Sequence, residues 1–269
     1  MLKTFPSKAA VKTLLALLLS CLGLLAQPAL ASDNGPRPLV LAYNAFAPWK
    51  NYDGQGQPSG PYTEIVRELA RRLRLPLRFL NCPLPRCLAA MQQGRADLMI
   101  GVQHSPQRAR YLDYLEPPFA SGNRLALYQR GNDPRVIRRY QDLLPLTVGV
   151  VEGVQYQEAF DQDGRLRRDT ALTMESSFRK LAAGRIDVLI GNEQQTGLLA
   201  ASHEFAGRVR RAGLTLDDLR PHRLALAQNS PFHAEKARVS QALQAMLDDG
   251  SVARILAGLP LRPAAAAPR

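Results

Sequence analysis

Cysteine is almost missing from this chain, with three residues in 269. One, Cys21, falls in an apolar run near the start, which leaves Cys82 and Cys87 in the stretch CPLPRC. No Cys-x-x-Cys and no neighbouring histidine supply the other ligands of a zinc site. A proline follows Cys82 and the spacing is wrong for a redox-active pair. Four intervening residues do let a turn bring the two sulfurs together, so a Cys82–Cys87 disulfide is expected in an oxidising compartment. No metal and no organic cofactor is indicated. Acidic residues are also few, 23 against 35 lysines and arginines, for a formal charge of +12. A basic run is absent all the same. The arginines are scattered on helix faces, as in ELARRLRL and VIRRYQ, so nucleic acid is not an expected partner. An anionic small ligand is compatible with this charge.

Long apolar runs are lacking beyond the first 31 residues, which excludes a second candidate membrane span. The opening MLKTFPSKAAVK carries three lysines and no acid, an apolar run follows from Thr13 to Ala26, and Ala29-Leu30-Ala31 closes it. That order reads as a secretory signal peptide, residues 1–31, cleaved after Ala31. Lipid attachment at Cys21 is the alternative. Cleavage would remove Lys3, Lys8 and Lys12 and leave a charge of +9 on a periplasmic chain of about 238 residues, enough for one large core or two small ones.

The elements alternate. PLVLAY (38–43) reads as a strand. Residues 62–75 place Tyr62, Ile65, Val66, Leu69, Ala70 and Leu73 on one helical stripe, stopped by Pro76. LRFLN (77–81) is a strand, Cys87–Gln93 a short helix, and ADLMIGV a buried strand after Gly94. The second half follows the same grammar: a strand at 145–151, a helix over Glu158–Asp161, a short strand at Leu172-Thr173, and a helix over Ser176–Ala183 capped by Ser176 or Ser177. Gly184 and the strand IDVLIG come next. This is α/β order with largely parallel sheets. Two phrases ninety positions apart, MQQGRADLMIG (91–101) and LAAGRIDVLIG (181–191), share Gly-Arg-x-Asp and close on Ile-Gly. General α/β grammar explains the glycine and the apolar run, but two similar lobes explain the rest of the match. Ligands bind beyond the carboxyl ends of such strands, so the polar segments after the two phrases would face one cleft as a two-jawed trap.

DLMIGVQHSPQRARYLDYLEPPFASG resembles the most specific segment of the periplasmic solute-binding proteins, extracellular solute-binding family 3, the polar amino-acid type. AYNAFAPW with GPYTEIVRELA, then LTVGVVEGVQYQ and DVLIGN, occur in that family's order, and the likeness spans nearly all of residues 37–259. The resemblance implies two α/β lobes joined by two hinge strands, here near Arg124–Tyr128 and Pro221–Ala227. Lobe one is then residues 37–123 plus 222–259, and lobe two is 128–219. The low-complexity tail, 260–269, is expected to be disordered. It implies a monomer that captures a small polar ligand by hinge closure and presents it to an inner-membrane ABC permease.

The resemblance also assigns roles. Arg108 matches the arginine that holds the ligand carboxylate, for which a guanidinium offers two parallel hydrogen bonds. Ser105 matches a hydroxyl beside it, and Gly101 and Gln103 match positions lining the same pocket. Phe46 matches an aromatic covering the ligand, with Trp49 as the alternative lid. Gln155 matches a donor of the second lobe. Two departures stand out. Asn192 occupies the place where amino-acid binders carry an aspartate for the ligand's ammonium group, and asparagine neutralises no charge. Tyr43-Asn44 occupies the place where binders of basic amino acids carry an acid. A carboxylate ligand lacking the amine, or an amide, therefore becomes an expectation. A periplasmic enzyme of the cyclohexadienyl dehydratase type is the rival reading. Gln195 stands near that enzyme's glutamate and does no general acid–base work, which leaves Glu193 as the alternative acid. An orphan sensory binding protein is the other rival. The expectation is that no chemistry takes place.

Overall fold

The computed structural model describes residues 36–257. The leader, its cleavage site, Cys21 and the tail at 260–269 lie outside the described residues. The chain runs through β1 (Leu39–Tyr43), a small hairpin of β2 (Asn51–Tyr52) and β3 (Pro58–Ser59), α1 (Pro61–Leu73), β4 (Leu77–Asn81), α2 (Leu84–Gln92), β5 (Leu98–Ile100) and β6 (Leu112–Tyr114). β7 (Ala120–Arg130) leads to β8 (Thr147–Val151), α3 (Glu158–Gln162), β9 (Arg167–Ala171), α4 (Met174–Ala182), β10 (Val188–Asn192) and α5 (Glu193–Ala200). β11 (Val209–His222) returns to β12 (Leu224–Ala227), α6 (Lys236–Asp248) and α7 (Ser251–Leu256).

Two five-stranded sheets result, ordered β4-β1-β5-β12-β6 and β11-β7-β10-β8-β9. β1 runs parallel to β4 and β5, while β12 is antiparallel to its neighbours. In the second sheet β8 runs parallel to β9 and β10, while β7 is antiparallel to β10 and β11. Each sheet is covered on both faces. Along β1 the side chains alternate between two cores: Leu39, Leu41 and Tyr43 pack with α1 and α6, and Val40 and Ala42 pack with α2. That is the period-two signature of a strand buried on both faces. The second lobe repeats it, with Val188 and Ile190 in one core and Leu189 in the other with Met174 and Phe178.

The repeated phrase has a structural cause. In both copies the helix ends at a glycine with positive φ, +69° at Gly94 and +73° at Gly184. The following arginine N–H donates back to the helix, Arg95 N to Ala90 O and Arg185 N to Lys180 O, each 2.9 Å. The aspartates then do the same job. Asp97 accepts from Val40 N at 2.9 Å and from Arg37 Nη2 at 3.2 Å. Asp187 accepts from Thr147 N and from Arg135 Nη2, both at 2.8 Å. Each carboxylate thus pins the start of the neighbouring parallel strand.

The lobe crossings follow from the cores. Ala120 belongs to the first core and Leu125 to the second, so β7 crosses between them, earlier than the expected Arg124–Tyr128. On the return, Leu214 packs in the second core and Leu224 in the first. Leu224–Ala227 is already β12 of the first sheet, so the expected Pro221–Ala227 crossing overlaps it only at its start. Other differences are local. α1 closes two residues before Pro76, at Arg74 with φ 55°, because the residue before a proline is driven out of the helical region. α2 begins at Leu84, earlier than expected, with Pro83 as N-cap and a proline in its first turn, where no N–H is needed. Thr173 caps α4, its hydroxyl accepting from Ser176 N at 3.2 Å, so the short strand expected at Leu172-Thr173 lies instead at Arg167–Ala171. Cys82 and Cys87 are joined in a disulfide.

Candidate functional site

A cavity of about 950 Å³ lies between the lobes, walled by the carboxyl ends of β1, β5, β8 and β10 and by the two crossing strands. Phe46, Gly101, Gln103, Arg108, Gln155 and Asn192 all line it. Trp49 and Ser105 do not.

Arg108 is fixed from below and from across. Ser105 Oγ accepts from Arg108 N at 3.3 Å, and Ser105 O accepts from Ala109 N at 2.9 Å. Ser105 therefore sets the turn that aims the arginine. Arg108 Nη1 donates to Gln103 O at 2.8 Å, and Nη2 donates across the cleft to Gly153 O of the second lobe. The side chain is buried, 6% exposed, and that burial pushes its pKa down. No carboxylate stands within ion-pair distance of it among the described residues. A buried guanidinium held by two carbonyls and the Tyr114 hydroxyl still leaves donors open for a carboxylate.

Gly101 has φ +73°, and a Cβ there would lie 2.6 Å from the Tyr62 ring. Only glycine lets β5 turn into the cleft beside that ring. Phe46 stacks on Trp49 with centroids 4.8 Å apart. Trp49 is 1% exposed and sits in the first core, so it is the support beneath Phe46 and not a lid: the tight 46–50 loop turns it inward.

Asn192 caps α5. Its Oδ1 accepts from Gln194 N and Gln195 N, at 2.9 and 3.3 Å, and its Nδ2 donates to Asn123 Oδ1 at 3.0 Å. The side chain is spent on structure. Asn123 continues a chain of hydrogen bonds that sequence reasoning missed: it meets His222 Nε2 at 3.0 Å, and His222 Nδ1 meets the Tyr62 hydroxyl at 2.7 Å. Polar contacts thus run from lobe one, through both crossing strands, to lobe two. Burial holds His222 down to about 4, so it is neutral.

Lys50 was also missed. It lines the cleft, is 4% exposed, and donates to Asn44 Oδ1 at 2.8 Å and Ile100 O at 3.4 Å. A usable signal existed: only three lysines occur beyond residue 31 in an arginine-rich chain. Among acids, Glu175 stands exposed at the cleft mouth, and Asp218 is engaged by Arg220 at 2.7 Å. Glu193 turns outward to Arg211 and Arg124 and does not line the cavity. Among the described residues no cluster of three or more His, Cys, Asp or Glu side chains is placed to hold a metal ion.

The chain is thus a two-lobed α/β protein with a cleft between its lobes. The sequence pattern of the bacterial extracellular solute-binding proteins, family 3, matches residues 39–258. The chain belongs to that family. This solute-binding protein is 25% identical over 222 residues to the amino-acid-binding protein AabA of Dichelobacter nodosus, covering 80% of this chain and 84% of that one. Its fold is that of an ancestral arginine-binding protein bound to arginine, with a TM-score of 0.69 at 21% identity over 81% of this chain and 96% of that one. A histidine kinase sensor domain with similarity to periplasmic binding proteins superposes with a TM-score of 0.73 at 20% identity, over 85% of this chain and 98% of that one. Membership gives the protein a solute-binding role.

Proposed function

We propose that the protein captures a small carboxylate-bearing solute between its lobes, carries out no chemistry on it, and presents the closed form to an ABC permease of the inner membrane. The observation that carries this reading is Arg108: a buried cation in the cleft, reaching both lobes, with carbonyl acceptors and no carboxylate partner among the described residues. The ligand carboxylate takes its remaining donors. Gly101 and Gln103 shape the floor, Phe46 covers one side, and Gln155 enters from the second lobe. Asn192 supports α5 and Ser105 positions Arg108. Capture without chemistry is supported by the acids of the cleft. Gln195 stands near the position of the dehydratases' glutamate, Glu193 faces away, Asp218 is occupied, and Glu175 is exposed at the mouth. A periplasmic location with release after Ala31 accords with the leader and the disulfide.

The test is a thermal-shift screen of the exported chain against amino acids, their deaminated analogues, dicarboxylates, amides, prephenate and arogenate. A ligand at a hundred times its dissociation constant should stabilise by about 2.7 kcal/mol, and the shift should vanish in Arg108→Ala. Product formation from prephenate or arogenate would replace this reading with the dehydratase one.

A further inference from the structure

Lys50 is the cleft group that the carboxylate-capture reading leaves unused. Its loop closes on itself, Phe46 N to Lys50 O at 2.7 Å and Lys50 N to Phe46 O at 2.9 Å, so its backbone is fixed. Its ammonium has two neutral acceptors, Asn44 Oδ1 and Ile100 O, for three donors. Neither Lys50 nor Arg108 has a carboxylate within ion-pair distance among the described residues. Their backbone acceptors, the carbonyls of Ile100 and Gln103, are three residues apart at the carboxyl end of β5, a stretch of at most about 10 Å. Two buried basic groups therefore face one cavity without counter-charges. Isolated buried charge is costly, and paired charge much less so. Burial alone pushes Lys50 down to about 7, a penalty that a bound anion would relieve. A ligand ammonium finds less: the Asn192 amide oxygen already accepts two N–H groups, Asp218 belongs to Arg220, and the remaining cleft carboxylate, Glu175, is exposed at the mouth, where water screens it.

We propose that Lys50 is a second anion-binding group and that the cleft takes a short-chain dicarboxylate without an ammonium group, one carboxylate on Arg108 and the other on Lys50. The proposal rests on the carboxylate-capture reading and narrows it to a ligand class.

Titration calorimetry on the exported chain tests it with succinate, glutarate and 2-oxoglutarate. The comparison ligands are the half-amides succinamate and glutaramate, and L-glutamate, L-glutamine and L-arginine. Wild type should bind at least one dicarboxylate about tenfold or more tighter than its half-amide and than any of the amino acids. Lys50→Met should lower that dicarboxylate's affinity about tenfold while moving the half-amide by no more than about threefold. Equal affinity for a dicarboxylate and its half-amide, tighter binding of an amino acid, or no binding of any of the three dicarboxylates would overturn the proposal. The wild-type comparison needs no variant, so it decides even if Lys50→Met fails to fold. Failure of the underlying reading looks different: the bound ligand would then keep its affinity in Arg108→Ala.

Discussion

His222 shows how one residue couples the lobes. It is 4% exposed, lies where β11 re-enters lobe one, and bonds Tyr62 on one side and Asn123 on the other. Asp218 and Arg220 are the charged groups that act on its ring, and burial outweighs both. The folded pKa, about 4, lies below the unfolded value of about 6.5. Between these values the unfolded chain binds the extra proton, so stability is lost as pH falls from about 6.5 toward 4, by about 3 kcal/mol. His222→Gln should flatten that slope, read by urea unfolding at pH 7 and pH 4.5. An unchanged slope would move the acid sensitivity elsewhere. Lys50 and His222 were both missed in the sequence, although the scarcity of lysine was a signal for the first. A lysine or histidine ordinarily signals exposure, and only the tertiary fold shows Lys50 buried at the cleft and His222 buried where β11 re-enters lobe one.

At the scale of elements, the repeated Gly-Arg-x-Asp was legible as duplication, and the geometry supplies its cause. Asp97 is fully buried and bonds Val40 N, Arg37 and Ser230, whereas Asp187 is partly exposed. Asp97→Ala strands a buried N–H and a hydroxyl and should cost about 3 kcal/mol, against about 1–2 kcal/mol for Asp187→Ala. Urea midpoints at pH 7 give the comparison, and equal losses would contradict it. The Cys82–Cys87 loop at the cleft rim should contribute about 2 kcal/mol by chain entropy, measured as the drop in stability on Cys82→Ser with Cys87→Ser. Helix stripes such as Tyr62–Leu73 were readable because they repeat every 3.6 residues. Caps were less so: Thr173 rather than a serine starts α4, since two nearby hydroxyls compete and register decides.

For the whole molecule, the alternation of strand and helix reads as α/β order, and the repeated phrase together with the family resemblance turns that order into two lobes. The crossing points were placed less well, because β7 and β11 are long strands that change core without any change in residue character. Trp49 shows the same limit. Its loop position suggested a lid, and its ring packs inward under Phe46. Arg108 was singled out by the family resemblance of its S-P-x-R setting, and the structure places it in the cleft on a turn that Ser105 sets. Its guanidinium touches Gly153 across the cleft, so ligand and arginine together should hold the lobes shut. Calorimetry of the best ligand from the screen against wild type, Arg108→Lys and Arg108→Ala tests that claim most directly. The account predicts a loss of about a hundredfold for alanine and an intermediate loss for lysine, which keeps the charge without the paired hydrogen bonds. Wild-type affinity in Arg108→Ala would contradict it.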